Sequence, residues 1–179
     1  MEPALSLPAV AAKAHYTVGV AMARLGRLDQ TIRLYERAIE LDPCYVAAIE
    51  ELTGYLLSQR RTGDAVRVFR LSVKSGCDDP RVLHSLAKLL ATSSNPSLRN
   101  GSEAVDLCAR LLRTHGADPV LLQTYAAALA ESGRFAEAIE EARRASGIAE
   151  RAGPAGLAEA IREQIEGYQA DRAYHDPQF

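Results

Sequence analysis

The sequence has no excess of charge of either sign. Its 21 Lys and Arg residues are nearly balanced by 23 Asp and Glu residues, which leaves a formal net charge of -2. Nucleic-acid binding needs Lys and Arg clustered on one face, and only the isolated pairs Arg60-Arg61 and Arg143-Arg144 stand out. Short charge runs of this kind are typical of solvated helix faces. Nucleic acid is therefore not an expected partner.

Cysteine is scarce, with only Cys44, Cys77 and Cys108 and no CxxC spacing. An odd count without paired spacing favours neither a disulfide framework nor a zinc site. Cys108 lies in an apolar helical pattern, where a free thiol usually packs as a small hydrophobe. Cys44 and Cys77 lie near helix junctions about one repeat apart. The pattern predicts unreactive thiols in a reducing compartment, and hence a cytoplasmic chain.

Long apolar segments are also missing. The sequence has no uninterrupted apolar run of about eighteen residues, the length that crossing a membrane requires. Its beginning, MEPALSLPAVAAKAHY, has an early acidic residue and no basic segment before an apolar core, unlike a secretory signal. The sequence therefore predicts no direct membrane insertion.

Recognisable catalytic signatures are absent as well. HExxH, GxSxG, GxxxxGKS and GxGxxG do not occur. His15 lies on the apolar side of a helical pattern, which favours a packing role, whereas Glu140 has Arg143 and Arg144 three and four residues later, as on a charge-paired helix face. We expect no enzymatic activity, no cofactor and no metal site.

What the chain does contain is a repeat, whose copies begin at Ala12, Val46, Pro80 and Pro119. Within each copy apolar residues recur at the three-and-four spacing of amphipathic helices, and a break near the middle makes each copy a helix pair. One such pair cannot bury its apolar face alone, so the copies must stack. The sequence therefore predicts an all-α solenoid whose default function is binding.

Asp-Pro pairs mark the predicted helix starts. Asp42-Pro43, Asp79-Pro80 and Asp118-Pro119 combine an N-capping carboxylate with a proline suited to the first helical position, and Gly153-Pro154 predicts one more start. The third copy carries five extra residues in the polar segment 92–101, which we interpret as a loop. Either it is a tolerated surface insertion or it has a role in binding.

The predicted organisation follows from these boundaries. It comprises an N-terminal tail or partial helix (1–11), four repeats (12–45, 46–79, 80–118 with the loop at 92–101, and 119–152), a capping helix (153–170) and a tail (171–179).

The stretch from Gly19 to Ile32, continuing through Tyr35 and Ala38 to Asp42-Pro43, resembles the tetratricopeptide repeat family. The resemblance covers residues 12 to about 152 and implies a right-handed solenoid of about four helix-turn-helix units with a capping helix. Small residues occupy the family's close-packing positions in every copy: Gly19, Thr31, Ala38, Thr53, Ala65, Ser72, Ala87, Ala104, Ala126, Ala138 and Ala145. The sequence departs from the family pattern at His15 (often Trp), Arg60 (Gly) and Leu111 (Ala).

The C-terminal half has a further likeness, in segments such as Asn95–Val105 and Ala130–Ala138. It is similar to the final repeats of large bacterial tetratricopeptide proteins, in which the array follows a membrane enzyme or another catalytic domain. This likeness implies that the chain is a relative or fragment of such a protein.

In the family, ligands usually lie along the concave surface formed by the first helix of each pair. The resemblance places there Lys13, Tyr16, Thr17, Val20, Arg24, Glu50, Glu51, Leu57, Arg81, His84, Lys88, Gln123, Thr124 and Glu131. A basic clamp for chaperone carboxylates is not expected, because Tyr16 and Val20 carry no charge and Glu51 would repel a carboxylate.

The resulting functional hypothesis is a non-catalytic scaffold that binds a peptide or protein in this groove, with Tyr16 and Leu57 as apolar anchors and His84 as a hydrogen-bonding contact. Two alternatives stay open. The chain could be a structural module that forms homo-oligomers, or a regulatory segment of a larger bacterial protein.

Overall fold

The computed structural model describes residues 7–179, and this part of the chain is helical throughout its core. Its elements are α1 (Leu7–Arg24), α2 (Leu28–Leu41), α3 (Val46–Ser58), α4 (Thr62–Lys74), α5 (Pro80–Thr92), a 3-10 turn (Pro96–Leu98), α6 (Gly101–His115), α7 (Pro119–Glu131), α8 (Phe135–Ala152) and α9 (Leu157–Gln169). The predicted helix pairs and a closing helix are confirmed, but the start predicted at Gly153-Pro154 is wrong, because Gly153 ends α8 and α9 begins at Leu157 after Gly156. Residues 7–11 belong to α1, whereas the rest of the predicted tail, residues 1–6, lies outside the described residues.

Two of the three Asp-Pro pairs open helices as predicted. Asp118 Oδ1 accepts hydrogen bonds from the backbone N–H groups of Val120 and Leu121 at 3.0 and 3.1 Å, and Asp79 Oδ1 accepts one from Arg81 at 2.9 Å. The prediction is wrong for Asp42, which ends α2 instead. Its carboxylate accepts from the N–H of Cys44 at 3.0 Å, so it caps a turn that precedes α3.

The turns inside the helix pairs need a left-handed residue. Gly26 and Gly133 provide it with φ values of 71° and 76°, a conformation that costs glycine nothing. Arg60 occupies the same place in the second pair with φ 56°. The sequence departure noted at Arg60 therefore coincides with backbone strain.

The chain forms two compact units, and the boundary between Val82 and Leu83 falls within α5. In the first unit the predicted small residues allow close packing: a Cβ atom on Gly19 would lie 2.6 Å from the Tyr35 ring. Ala38, Ala65 and Ser72 are fully buried.

The second unit is built around a core from α7, α8 and α9. Leu122, Leu129, Ile161 and Tyr168 are at most 1% exposed and belong to one apolar cluster. The alanines predicted as close-packing residues on α7 and α8 lie in the same cluster. α9 thus covers the last helix pair, as predicted for a capping helix.

A disulfide joins Cys44 to Cys77, with their Cα atoms 4.9 Å apart. The expectation that both are free thiols is wrong. Cys44 precedes α3 and Cys77 follows α4, and two antiparallel helices of 13 residues each bring their open ends together. Sequence spacing alone does not reveal this proximity. The cytoplasmic location stays a prediction. The paired Cys44 and Cys77 no longer support it, because the prediction took both as free thiols.

Candidate functional site

In the first unit, four of the predicted binding residues line one open hollow. Tyr16, Thr17, Val20 and Arg24 form it together with Ala21 and Leu25, and we call this set the α1 hollow. Leu25 is 67% exposed. A large apolar side chain so exposed beside a cation is the pattern of a contact surface rather than of a core.

Aromatic packing fixes the wall of the α1 hollow. The Tyr16 ring centroid lies 5.7 Å from that of Tyr35 and 5.3 Å from that of Tyr45. Burial, and secondarily the nearby carboxylate of Glu51, raises the pKa of Tyr35. The Tyr35 hydroxyl therefore stays protonated at physiological pH. The two ring contacts hold Tyr16 in one position.

The predicted charged residues of the first unit are partly paired with one another. Arg81 Nη1 lies 3.3 Å from Glu50 Oε2, and Arg81 Nε lies 3.1 Å from Asp79 Oδ1. The hydrogen bond from Arg81 lowers the pKa of Asp79. Lys13 and Glu51 are exposed, whereas Leu57 is half-buried. Arg81 is thus already compensated by two carboxylates.

In the second unit, His84 makes its hydrogen bond inside the fold. His84 Nε2 lies 2.8 Å from Thr124 Oγ1, and the Thr124 hydroxyl donates to the carbonyl of Val120 at 3.1 Å. Since that hydroxyl proton is already used, His84 Nε2 is the donor. Burial lowers the pKa of His84. The structure therefore places His84 and Thr124 between α5 and α7 as a neutral pair.

Two of the three remaining predicted residues of this unit, Lys88 and Glu131, contact the chain's own C-terminal segment. We call residues 174–179 the return segment. Lys88 Nζ lies 3.9 Å from Asp176 Oδ2 and 4.8 Å from the centroid of the Phe179 ring. Glu131 Oε2 lies 3.0 Å from His175 Nε2. The predicted tail is therefore an ordered partner of predicted binding residues, although Gln123 bonds instead to Gln164 of α9 at 3.2 Å.

The inserted loop supplies the backbone contacts of the return segment. Asp176 N–H donates to the carbonyl of Thr92 at 2.7 Å, and Ser94 N–H donates to that of Phe179 at 2.8 Å. Ser93 and Asp176 form an isolated parallel β-bridge. The Ser94 hydroxyl donates to the same Phe179 oxygen. The start of the insertion thus pairs with the return segment like a neighbouring strand.

Glu131 is held in place by the other end of the inserted loop. Arg99 Nε donates to Glu131 Oε1 at 2.8 Å, and Arg99 Nη1 donates to the Ser93 carbonyl at 3.0 Å. The Arg99 and Glu131 side chains are only 15% and 17% exposed. One guanidinium therefore orients both the carboxylate that meets His175 and the backbone that pairs with Asp176.

Sequence reasoning missed Thr92, Ser93, Ser94 and Phe179 as contact residues. One signal was present, because Asp176-Pro177 is a fourth Asp-Pro pair and lies beyond the last predicted helix. An Asp-Pro pair that opens no helix needs another explanation for its polar side chain.

Residues 7–179 contain one free thiol, Cys108, and dispersed metal-ligating side chains. No group of three or more His, Cys, Asp or Glu side chains in this range is placed to hold a metal ion. Burial raises the pKa of the Cys108 thiol to about 12, so it stays protonated and unreactive. None of the helices described is both long and apolar enough to cross a membrane.

No family model matches the chain, and no curated protein matches it significantly. Solved structures do match. YrrB, described as a TPR protein with an unusual peptide-binding site, has a TM-score of 0.62 at 16% identity, covering 88% of this chain and 77% of its own. MamA (AMB-1) has a TM-score of 0.61 at 20% identity, with 83% and 78% covered. A second MamA structure has a TM-score of 0.61 at 17% identity, and the match covers 90% of this chain and 89% of that structure. The chain has the tetratricopeptide repeat fold.

Proposed function

We propose that the chain is a non-catalytic protein-interaction module whose partner, an extended peptide or a protein segment, docks on the α1 hollow. The observation that carries the proposal is the hollow itself. Four residues that the resemblance to tetratricopeptide repeats assigns to a binding surface line it together, with Leu25 and Val20 as apolar contacts and Arg24 as a positive rim. A partner with an apolar side chain next to a carboxylate fits this chemistry.

The fold supports this assignment. Stacked helix pairs position the contact residues before a ligand arrives, which lowers the conformational entropy lost on binding. YrrB, which shares the fold, is described as having a peptide-binding site. A single peptide bound through a few such anchors corresponds to about 8 kcal/mol, or micromolar affinity.

Charge insertion at Leu25 tests the proposal. Three forms of the chain are immobilised and exposed to extract of the source cell: the wild type, Leu25→Glu and Leu71→Glu. The retained proteins are identified by mass spectrometry. Each is then purified and titrated against the three forms. Leu71 is the matched control because it is an exposed leucine of α4, at 56% against 67% for Leu25.

We expect a partner that binds the wild type and Leu71→Glu equally and binds Leu25→Glu at least tenfold more weakly, since a buried carboxylate would oppose the apolar contact. A partner insensitive to Leu25→Glu would place the interaction elsewhere. We avoid reversing Arg81, because a carboxylate there would meet Glu50 and Asp79.

Self-association is the second candidate function, and a specific feature favours it. The α1 region exposes several large apolar side chains: Leu7 at 87%, Val10 at 49%, Val18 at 45% and Leu28 at 43%. A second copy that packs on this helix would bury them. Sedimentation equilibrium distinguishes the structural role from the adaptor role. A homodimer that is dissociated by Val18→Asp, but not by Leu71→Glu, would support the structural role.

A further inference from the structure

The return segment makes the kinds of contact that a bound peptide makes. It lies against the surface formed by Lys88, Thr92–Ser94 and Glu131, which we call the α5 docking surface. Its backbone pairs with Thr92 and Ser94 through hydrogen bonds of 2.7 and 2.8 Å. Between these two bonds the segment turns, because the Phe179 N–H donates to the carbonyl of Asp176 at 3.2 Å and the Gln178 N–H donates to Asp176 Oδ1 at 3.0 Å. The backbone bonds at both ends of the turn do not depend on the side chains of the bound segment.

The side-chain contacts add sequence selectivity. Lys88 reaches both the Asp176 carboxylate at 3.9 Å and the face of the Phe179 ring at 4.8 Å. One ammonium group thus recognises an acid and an aromatic ring spaced three residues apart, through charge attraction and a cation–π contact. Glu131 Oε2 accepts a hydrogen bond from Nε2 of His175, the residue before the acid, at 3.0 Å.

The contacts are also readily reversible. Tyr174 packs against the apolar core cluster, whereas residues 175–179 are held by the backbone pairs and by the side-chain contacts with Lys88 and Glu131. Within this last part, His175, Pro177 and Gln178 are exposed. Segments with few buried apolar contacts open at a small fraction of the global unfolding free energy. A peptide can therefore bind the α5 docking surface when the return segment detaches, without unfolding of the second unit.

We propose that the α5 docking surface is a binding site for peptides that carry a carboxylate followed three residues later by an aromatic ring, presented in a turn like that of residues 176–179, and that the return segment is its built-in competitor. This inference rests on the proposed function in assigning protein recognition to the chain, but it uses different residues. At an effective concentration of about 1 mM, a tethered segment of about 0.1 mM intrinsic affinity weakens an added peptide about tenfold.

The probe is a fluorescein-labelled peptide with the sequence of residues 173–179, AYHDPQF. Its binding to the full-length chain is measured by fluorescence anisotropy. In Asp176→Lys/Phe179→Ala, which loosens the return segment, the peptide is expected to bind at least tenfold more tightly than in the wild type. Adding Lys88→Glu removes this binding, whereas Lys74→Glu, a change at an exposed lysine of α4, leaves it intact.

A second measurement covers the case in which the loosened variant fails to fold. The sequence has seven tyrosines but no tryptophan, so Phe179→Trp introduces a single, selectively excited tryptophan at the site in an otherwise intact chain. Excess unlabelled peptide is expected to displace the segment and shift the tryptophan emission to that of exposed indole. A peptide with alanine at the acidic or the aromatic position is expected to leave the emission unchanged.

Three outcomes overturn the inference. One is a folded, loosened variant that does not bind the peptide at millimolar concentration, and another is a Phe179→Trp emission that the peptide never changes. The third is a wild-type dimer that Lys88→Glu dissociates, which would assign the site to the return segment of a second copy. Leu25→Glu, combined with the loosened return segment, is expected to bind the peptide normally. Loss of peptide binding therefore tests the α5 docking surface alone, and loss of partner binding by Leu25→Glu tests the α1 hollow alone.

Discussion

Arg99 donates from Nε to Glu131 Oε1 across 2.8 Å, and both side chains are more than four-fifths buried. This ion pair joins the inserted loop to the end of α7, which lies thirty-two residues further along the chain. The insertion, which the sequence left open as a mere surface addition or a binding element, is therefore tied to the fold and to the return segment at once.

The first prediction concerns this pair. Arg99→Met leaves the Glu131 carboxylate mostly buried without its guanidinium partner, so we expect the free energy of unfolding to fall by about 2 kcal/mol. Urea denaturation measures the loss. Arg134→Met is the control, because its pair with Glu137 is exposed and should contribute nothing measurable. An equal loss of unfolding free energy in the two variants would mean that the Arg99–Glu131 pair stabilises the fold no more than an exposed ion pair does.

The second prediction concerns the disulfide. Cys44 and Cys77 are 33 residues apart, and closing a loop of that length stabilises a fold by about 3 to 4 kcal/mol. We expect dithiothreitol to lower the unfolding free energy of the wild type by that amount and to leave Cys44→Ser/Cys77→Ser unchanged.

Alkylation with iodoacetamide provides the control for the disulfide. Because Cys108 is buried and the other two cysteines are paired, the native chain should take up no label, the denatured chain one, and the denatured and reduced chain three. Three labels on the denatured, unreduced chain would show that the bond is absent and would restore the reducing compartment predicted from the sequence.

The features that the sequence predicted well are those set by neighbours along the chain. Helical periodicity and capping residues are local, and the Asp118 cap forms as expected. Asp42 shows the limit of that reasoning, since the same Asp-Pro pair caps a turn when Cys44 and Tyr45 precede the helix.

The features that the sequence missed depend on distant segments. The Cys44–Cys77 bond requires two helices to fold back on each other. The contact of Lys88 with Asp176 requires the chain to turn after α9 and to return to α5. The family resemblance placed Lys88 on a binding surface, but only the fold shows which part of the chain lies against it.

The third prediction concerns the strained turn at Arg60. A non-glycine residue at φ 56° costs about 1 kcal/mol relative to its preferred conformations, whereas glycine adopts this geometry freely. Arg60→Gly is therefore expected to raise the unfolding free energy by about 0.5 to 1 kcal/mol, as measured by thermal and urea denaturation.

Arg61→Gly is the matched control for that substitution. Arg61 has an ordinary φ of -91° and pairs with Asp64 at 2.6 Å. Glycine there adds freedom to the unfolded chain and relieves no strain, so this variant should be less stable than the wild type. If both variants change stability in the same direction, the strain assigned to Arg60 is wrong.

The fourth prediction is a pH dependence that originates at His84. Burial lowers the pKa of His84 below the ordinary value of 6.5, opposed by Asp118 and assisted by Lys88. Below pH 6.5 the unfolded chain therefore binds a proton at this position that the folded chain does not. Since stability rises with pH wherever the unfolded state binds more protons, the unfolding free energy should be constant above about pH 7 and should decline as the pH falls through 6 toward 5.

His84→Asn tests the assignment through the slope rather than through the absolute stability. The substitution removes the titrating ring, so its unfolding free energy should change less between pH 7 and pH 5 than that of the wild type. His115→Asn, at an exposed histidine in the last turn of α6, should keep the wild-type slope. A His84→Asn chain with an unchanged slope would show that the acid sensitivity arises elsewhere. The hydrogen bond to Thr124 is not what acid removes, because Nε2 donates in both protonation states. The cost at low pH is the positive charge that a second proton on Nδ1 places in a largely buried ring, which Asp118 offsets only in part.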